Sequence, residues 1–150
     1  MVQRTPHALA TLYGADETAW LEQTAELVRS GRFSEIDPAT LAEYLTDMAK
    51  RDRREVFSRL VVLLAHLLKW EHQPDRRGGA WEATTLEQQR ELRQLLESGT
   101  LRNHALAVYT DAYAEARKQA AAETGLPRSA FPEEPAWDLD AALADRGDPS

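Results

Sequence analysis

Arg59, His66 and Gln73 recur at intervals of seven residues, so on a helix they share one edge, with Glu55 one turn before Arg59 and Trp70 one turn after His66. Lys69, Arg76 and Arg77 add cations to the same stretch, and Trp81 follows close behind. Together these have the chemistry of a binding cleft. His66 and Gln73 would offer hydrogen bonds, Trp70 a wall, and Lys69, Arg76 and Arg77 would draw an anion toward the start of the helix that opens near Trp81. The same residues also support a plainer reading, in which Glu55 and Arg59 form an i,i+4 ion pair, His66 donates to a neighbouring carbonyl or carboxylate, and the Trp rings are core. The plainer reading carries more weight. What keeps the first in play is the basic loop Arg76-Arg77-Gly78-Gly79, although it lacks the Gly-Lys-Ser/Thr ending of a phosphate-binding loop.

Other chemistries find less in the chain. His66 and His72 are six residues apart and fall on different faces of one helix, and neither HExxH nor paired Glu-x-x-His is present, so no metal and no cofactor is expected. Glu43 and Asp47 at i,i+4 read as a solvated helix face rather than an acid–base pair. Ser58 lies inside a helix with no nucleophile-elbow sequence around it, and there is no cysteine to act as nucleophile, thiolate ligand or disulfide partner.

The elements that must position these residues are helical. Asp16 caps a first helix that carries Trp20, Leu21, Leu27 and Val28 at helical spacing and stops at Ser30-Gly31. Asp37-Pro38 opens a second, with Leu41, Tyr44, Leu45 and Met48 at steps of three and four. The phase continues to Trp70, but Lys50-Arg51-Asp52-Arg53-Arg54 offers no apolar side chain to a core, so the spacing predicts two helices across 38–70 rather than one. The apolar residues of 56–70 cover an arc of about 180°, wider than a surface helix needs, which implies packing on more than one side. Further helices are expected over about 80–97 and about 100–124, the latter rich in alanine and closed by Gly125 and Pro127. Phe131, Pro132, Pro135 and Trp137 then form a strap expected to wrap its own bundle, followed by a short helix capped by Asp138. No strand period persists. The fold expected is all-α: a compact bundle of about five helices plus a short C-terminal one. A single domain is expected over 8–144, with flexible termini at 1–7 and 145–150.

Composition sets the outer bounds. With 150 residues, 43% hydrophobic and 29% charged, the chain can build one ordinary core. Residues 60–68 are the longest apolar stretch, too short to span a bilayer, and the opening residues contain no sustained apolar run, so no membrane partner and a bacterial cytoplasm are expected. The formal charge of −7 argues against non-specific duplex binding. Charge is uneven, however: residues 1–50 carry 4 basic against 8 acidic side chains, 51–100 carry 9 against 8, and 101–150 carry 5 against 9.

Beyond periodicity, the run Ser58-Arg59-Leu60-Val61-Val62-Leu63-Leu64-Ala65-His66-Leu67-Leu68-Lys69-Trp70, with Gln73-Pro74, Arg76-Arg77, Trp81, Thr84 and Gln88-Gln89-Arg90 after it, resembles the bacterial domain-of-unknown-function family 29 (DUF29). Leu12-Tyr13 through Trp20, Glu123-Thr124-Gly125-Leu126-Pro127 and Phe131-Pro132-Glu133-Glu134 are similar to the same family, so the resemblance spans roughly residues 8–144. It implies a compact helical, prokaryotic, cytoplasmic protein and no assigned reaction. Two positions depart from the family pattern. Gly79-Ala80 stands before Trp81 where a small hydroxyl residue is expected, which weakens a hydroxyl-dependent mechanism. Pro135 stands where a Cys is frequent, which argues against shared thiol chemistry.

The functional reading preferred at this level is a non-enzymatic interaction or regulatory module that binds an unknown protein partner, or itself, near residues 69–81. One alternative is a nucleic-acid-associated regulator of toxin–antitoxin type using Arg51, Arg53, Arg54, Arg76 and Arg77, which requires those residues to form one surface. The other is a small-anion binder or enzyme centred on His66, which requires a pocket containing His66, Gln73 and Trp81.

Overall fold

The computed structural model describes residues 6–145, with side chains from Leu9 onward. Within them the chain is helical: α1 (Pro6–Ala15), α2 (Glu17–Arg29), α3 (Pro38–His72), α4 (Gly79–Leu95), α5 (Gly99–Thr124) and the short α6 (Leu139–Leu143), with single 3-10 turns at Phe33–Glu35, Pro74–Arg76 and Arg128–Ala130. No strand occurs among the described residues, so the all-α expectation holds. Of the termini expected to be flexible, residues 1–5 and 146–150 lie outside the described residues, whereas Pro6 and His7 belong to the first turn of α1.

Two boundaries differ from the sequence-based expectation. Residues 38–72 form one helix of 35 residues, not two. The charged segment at 50–55 buries little, yet Lys, Arg and Glu are good helix formers and no Gly or Pro interrupts the chain between Ala39 and His72. Lack of apolar residues therefore marks a stretch that leaves the core, not one that leaves the helix. The other difference is α1, which the sequence reading did not anticipate. Asp16 serves both neighbours: its amide donates to Leu12 O at 2.7 Å, closing α1, and its carboxylate accepts from Ala19 N at 3.1 Å, capping α2.

The chain divides into two compact units, Met1–Lys50 and Arg51–Ser150, and α3 contributes to both. In the first unit Trp20 is buried and sits between Tyr13, edge-on at 4.9 Å, and Tyr44 at 5.1 Å, with Leu9 and Ile36 also buried. Such tilted ring pairs contribute beyond the area they bury. The turn from α2 into α3 needs a left-handed residue, supplied by Gly31 at φ +74°, and Arg32 pairs with Glu35 just beyond it.

The second unit holds the larger core. Val56, Leu60, Leu63, Leu64, Leu67 and Leu68 of α3 meet Leu92 of α4, Leu96 at its C-cap and the buried alanines 105, 112, 116 and 120 of α5. The alanines repeat at four- and seven-residue steps on one face, so α5 approaches its neighbours closely, and Tyr109 and Tyr113 fill the same face between them. Gly125 ends α5 in the left-handed conformation at φ +74°, its amide bonded to Ala121 O.

The aromatic strap packs in cis, as expected. Phe131 is 2% exposed within the core. Tyr113 Oη donates to Pro132 O at 2.6 Å and Tyr109 Oη to Trp137 O at 2.7 Å, so two buried phenols tie the strap's backbone to α5. Gln89, also buried, donates from Nε2 to Ala142 O and Ala144 O, and Arg93 donates to Leu143 O, which fastens the end of α6 to α4. These carbonyls lack helical partners because α6 is so short, and the α4 side chains take that place.

Candidate functional site

The candidate residues all fall in the second unit, on α3, the turn after it and the start of α4. Arg59 engages α4: it bonds Glu55 at 2.9 Å on its own helix and Gln88 at 3.2 Å across to α4, with Glu91 at 4.0 Å. The expected i,i+4 pair is therefore present and extended into a bridge. His66 is half-buried, and its Nδ1 lies 2.9 Å from Val62 O. Because a carbonyl can only accept, Nδ1 carries the proton and the neutral ring keeps its lone pair on Nε2.

Lys69 is the unusual member of the set. It is 6% exposed, a degree of burial that lysine tolerates only with a counter-ion. Its Nζ lies 2.6 Å from Glu123 Oε2 at the end of α5 and 5.2 Å from the centre of the Trp81 ring in the first turn of α4. Three helices thus converge on one ammonium. Gln119 donates to the other oxygen of Glu123 at 3.1 Å. Burial alone would raise the Glu123 carboxyl, but the hydrogen bonds from Lys69 and Gln119 and the Lys69 charge outweigh it and hold the pKa below the ordinary value.

Trp70 and Arg77 form a second cation–aromatic pair. The guanidinium lies 5.2 Å from the ring centre, and Arg77 Nε donates to Trp70 O at 2.7 Å. Gln73 is half-buried and begins the 3-10 turn that ends α3, and Arg76 is exposed. Gly78 stands at the N-cap of α4 without a side-chain cap.

The structure therefore brings together His66, Lys69 and Trp81, adds Glu123, and pairs Trp70 with Arg77 separately. Arg59 belongs to neither group. Glu123 was not among the residues singled out from sequence, although a signal was available: a carboxylate in the last turn of a helix opposes the macrodipole and calls for a cation. Two surface clefts, one in each unit, are lined by residues other than His66, Gln73 and Trp81. Of the arginines proposed for nucleic acid, Arg51 and Arg54 are exposed on α3, whereas Arg76 and Arg77 follow its end. Arg54 is about 27 Å of helix from His72 at 1.5 Å per residue, so the two groups are well separated rather than clustered. No group of three potential metal ligands stands together among the described residues, and none of their helices is long and apolar enough to cross a membrane.

His66 makes the cluster sensitive to pH. Burial, followed by the Lys69 charge, pushes the imidazole below its ordinary 6.5, against the opposing pull of the Val62 bond and Glu123. The unfolded chain then binds the proton more readily than the folded one, so stability rises with pH across the interval between the two values. The His66 contribution is complete above about pH 6.5 and is lost as pH falls through that interval. In urea titrations at stepped pH, His66→Gln is expected to flatten this part of the profile. An unchanged slope would show that His66 does not set it.

No curated protein and no solved structure matches the chain. The family profile described as Domain of unknown function DUF29 matches residues 12–146. That is nearly the whole of the 150 residues, and it includes both the cluster around Lys69 and the aromatic strap. The chain belongs to the DUF29 family.

Proposed function

We propose that this protein is a non-enzymatic interaction module of the bacterial cytoplasm, docking another protein through the surface around Trp70, Arg76 and Arg77. The observation that carries the reading is the Trp70 and Arg77 pair. Trp and Arg dominate the energetics of protein interfaces, and here the guanidinium is already laid over the indole and anchored to its carbonyl. A side chain ordered before binding loses less entropy on association. Exposed Arg76 beside the pair supplies a charge for orienting an acidic partner.

The buried Lys69 supports the same reading by serving the fold. Its charge is neutralised by Glu123 and shared with Trp81, which leaves the exposed arginines as the cations available to a partner. The test is quantitative affinity purification from the native host, comparing wild type with Arg76→Glu/Arg77→Glu. Recovery of the specific partner is expected to fall about tenfold or more, the equivalent of roughly 1.4 kcal/mol. Undiminished recovery would place the docking surface elsewhere.

A further inference from the structure

We propose that the groove between α2 and the first turns of α3 is a second docking surface, built to receive a basic amphipathic helix of another protein. It lies wholly within the first unit and owes nothing to Trp70, Arg76 or Arg77. Its floor is Trp20 and Thr24, and its walls are Leu21 and Val28 of α2 with Leu41 and Leu45 of α3. Val28 and Leu45 are 47% and 58% exposed, so two aliphatic side chains at the lips of one groove face water rather than a core. From Trp20 to Val28 the groove follows about 12 Å of helix, room for two turns of a partner presenting apolar residues at i, i+3, i+4 and i+7. The groove encloses about 420 Å³ but is open along its length, which suits a ridge of side chains better than an enclosed small molecule.

One polar group lies beneath the groove. Thr24 is 5% exposed, and its hydroxyl has no hydrogen-bond partner. A helical threonine ordinarily relieves such burial by bonding the carbonyl one turn back. Here the hydroxyl oxygen is enclosed and unpaired, a cost carried by the packing beneath the groove.

Charge selects the occupant. Residues 6–50 carry 8 acidic side chains against 3 basic ones. Arg29, the one charged residue lining the groove, is neutralised by Glu26 at 2.7 Å, and Arg32 is tied to Glu35. Glu17, Glu22, Glu43 and Asp47 are all exposed. Their field reaches the aromatic cluster: after desolvation, Glu43, Asp47 and Glu17 are the main groups that raise the Tyr13 phenol, and Tyr13 packs against Trp20 at the groove floor. A second copy docking by this same face would bring like charges together, and nucleic acid or an anionic lipid surface would be repelled outright. A helix with an apolar stripe flanked by Lys or Arg satisfies both the groove and its surroundings.

The experiment is an NMR titration of the full chain with two synthetic peptides of about five helical turns. They share one leucine stripe and differ in carrying Lys or Glu on the polar face. The Lys peptide is expected to shift the amides of α2 and the start of α3, and to bind about tenfold or more tighter than the Glu peptide, with a gap that narrows as salt rises. Leu45→Asp sits at an exposed position on α3, where a polar side chain remains in water and the fold tolerates it. This variant should weaken the Lys peptide about tenfold even though it adds a negative charge. Three outcomes would overturn the proposal: equal affinity for the two peptides, shifts that lie outside the groove or survive Leu45→Asp, or concentration-dependent self-association through the same amides. None of these bears on Arg76 and Arg77, so the two docking surfaces stand or fall separately.

Discussion

Replacing Phe131 with alanine is expected to lower the stability of the protein by about 3–5 kcal/mol, the range for removing a buried aromatic ring. Phe131 is 2% exposed, belongs to the main core, and meets the His72 ring edge-on at 5.2 Å. Its loss combines the transfer term for the ring with the cost of a cavity that α3 and α5 cannot close, since both are fixed by buried leucines and alanines along their length. Against a typical total of about 5–15 kcal/mol, the change removes about a fifth or more of what keeps the chain folded. Urea denaturation would show a lower midpoint, and the strap bonds give an internal control. Tyr113→Phe removes only the phenol bonded to Pro132 O and should cost about 1 kcal/mol, because water can replace part of that bond. If residues 131–137 instead served a partner and left their own core, Phe131→Ala would leave the midpoint unchanged.

The strap was legible in the sequence because large rings and prolines cannot rest in water without cost. The caps were legible for the same local reason: Asp16 before α2, Asp138 before α6 and Gly125 after α5 each perform a task that few residue types can. What local patterns could not supply was context. The charged stretch at 50–55 looked like a break because apolar periodicity reports which residues are buried, whereas helicity also persists where nothing is buried, given the right formers. α1 was missed because it has no acidic first turn and no basic last turn, and because Asp16 announces the helix after it. Gln89 shares a face with Leu92 and Leu96 at three- and seven-residue steps, so its burial could have been read from spacing. Its partners could not, since Ala142 and Ala144 lie over fifty residues away. Glu123 carried a local signal in its place at a helix C-terminus, but its partner was out of reach for the same reason: the bond to Lys69 spans 54 positions.

That bond gives the second large effect, and the two sides of the pair should respond unequally. Glu123→Gln leaves the Lys69 ammonium buried without a counter-ion, and removing one partner of a fully buried pair typically costs about 3–5 kcal/mol. The Glu123 side chain is 41% exposed, so water shares in the interaction and the expected loss is smaller, about 1–2 kcal/mol. Lys69→Met removes the charge itself and keeps a flexible chain of similar length against Trp81. It leaves behind a carboxylate that is partly hydrated and still held by Gln119, so the fold should be nearly unaffected. The folded-state pKa of Glu123 lies below its ordinary 4.5, so the pair's contribution is present above that value and is lost as pH falls through the folded pKa. The penalty for Glu123→Gln should therefore shrink on acidification in that range. Denaturant midpoints of both variants at neutral and acidic pH measure all of this. Equal destabilisation by Lys69→Met and Glu123→Gln would mean that the ammonium is worth its desolvation to the fold. A stable Lys69→Met that retains full partner recovery would assign Lys69 to architecture, leaving recognition to Trp70, Arg76 and Arg77.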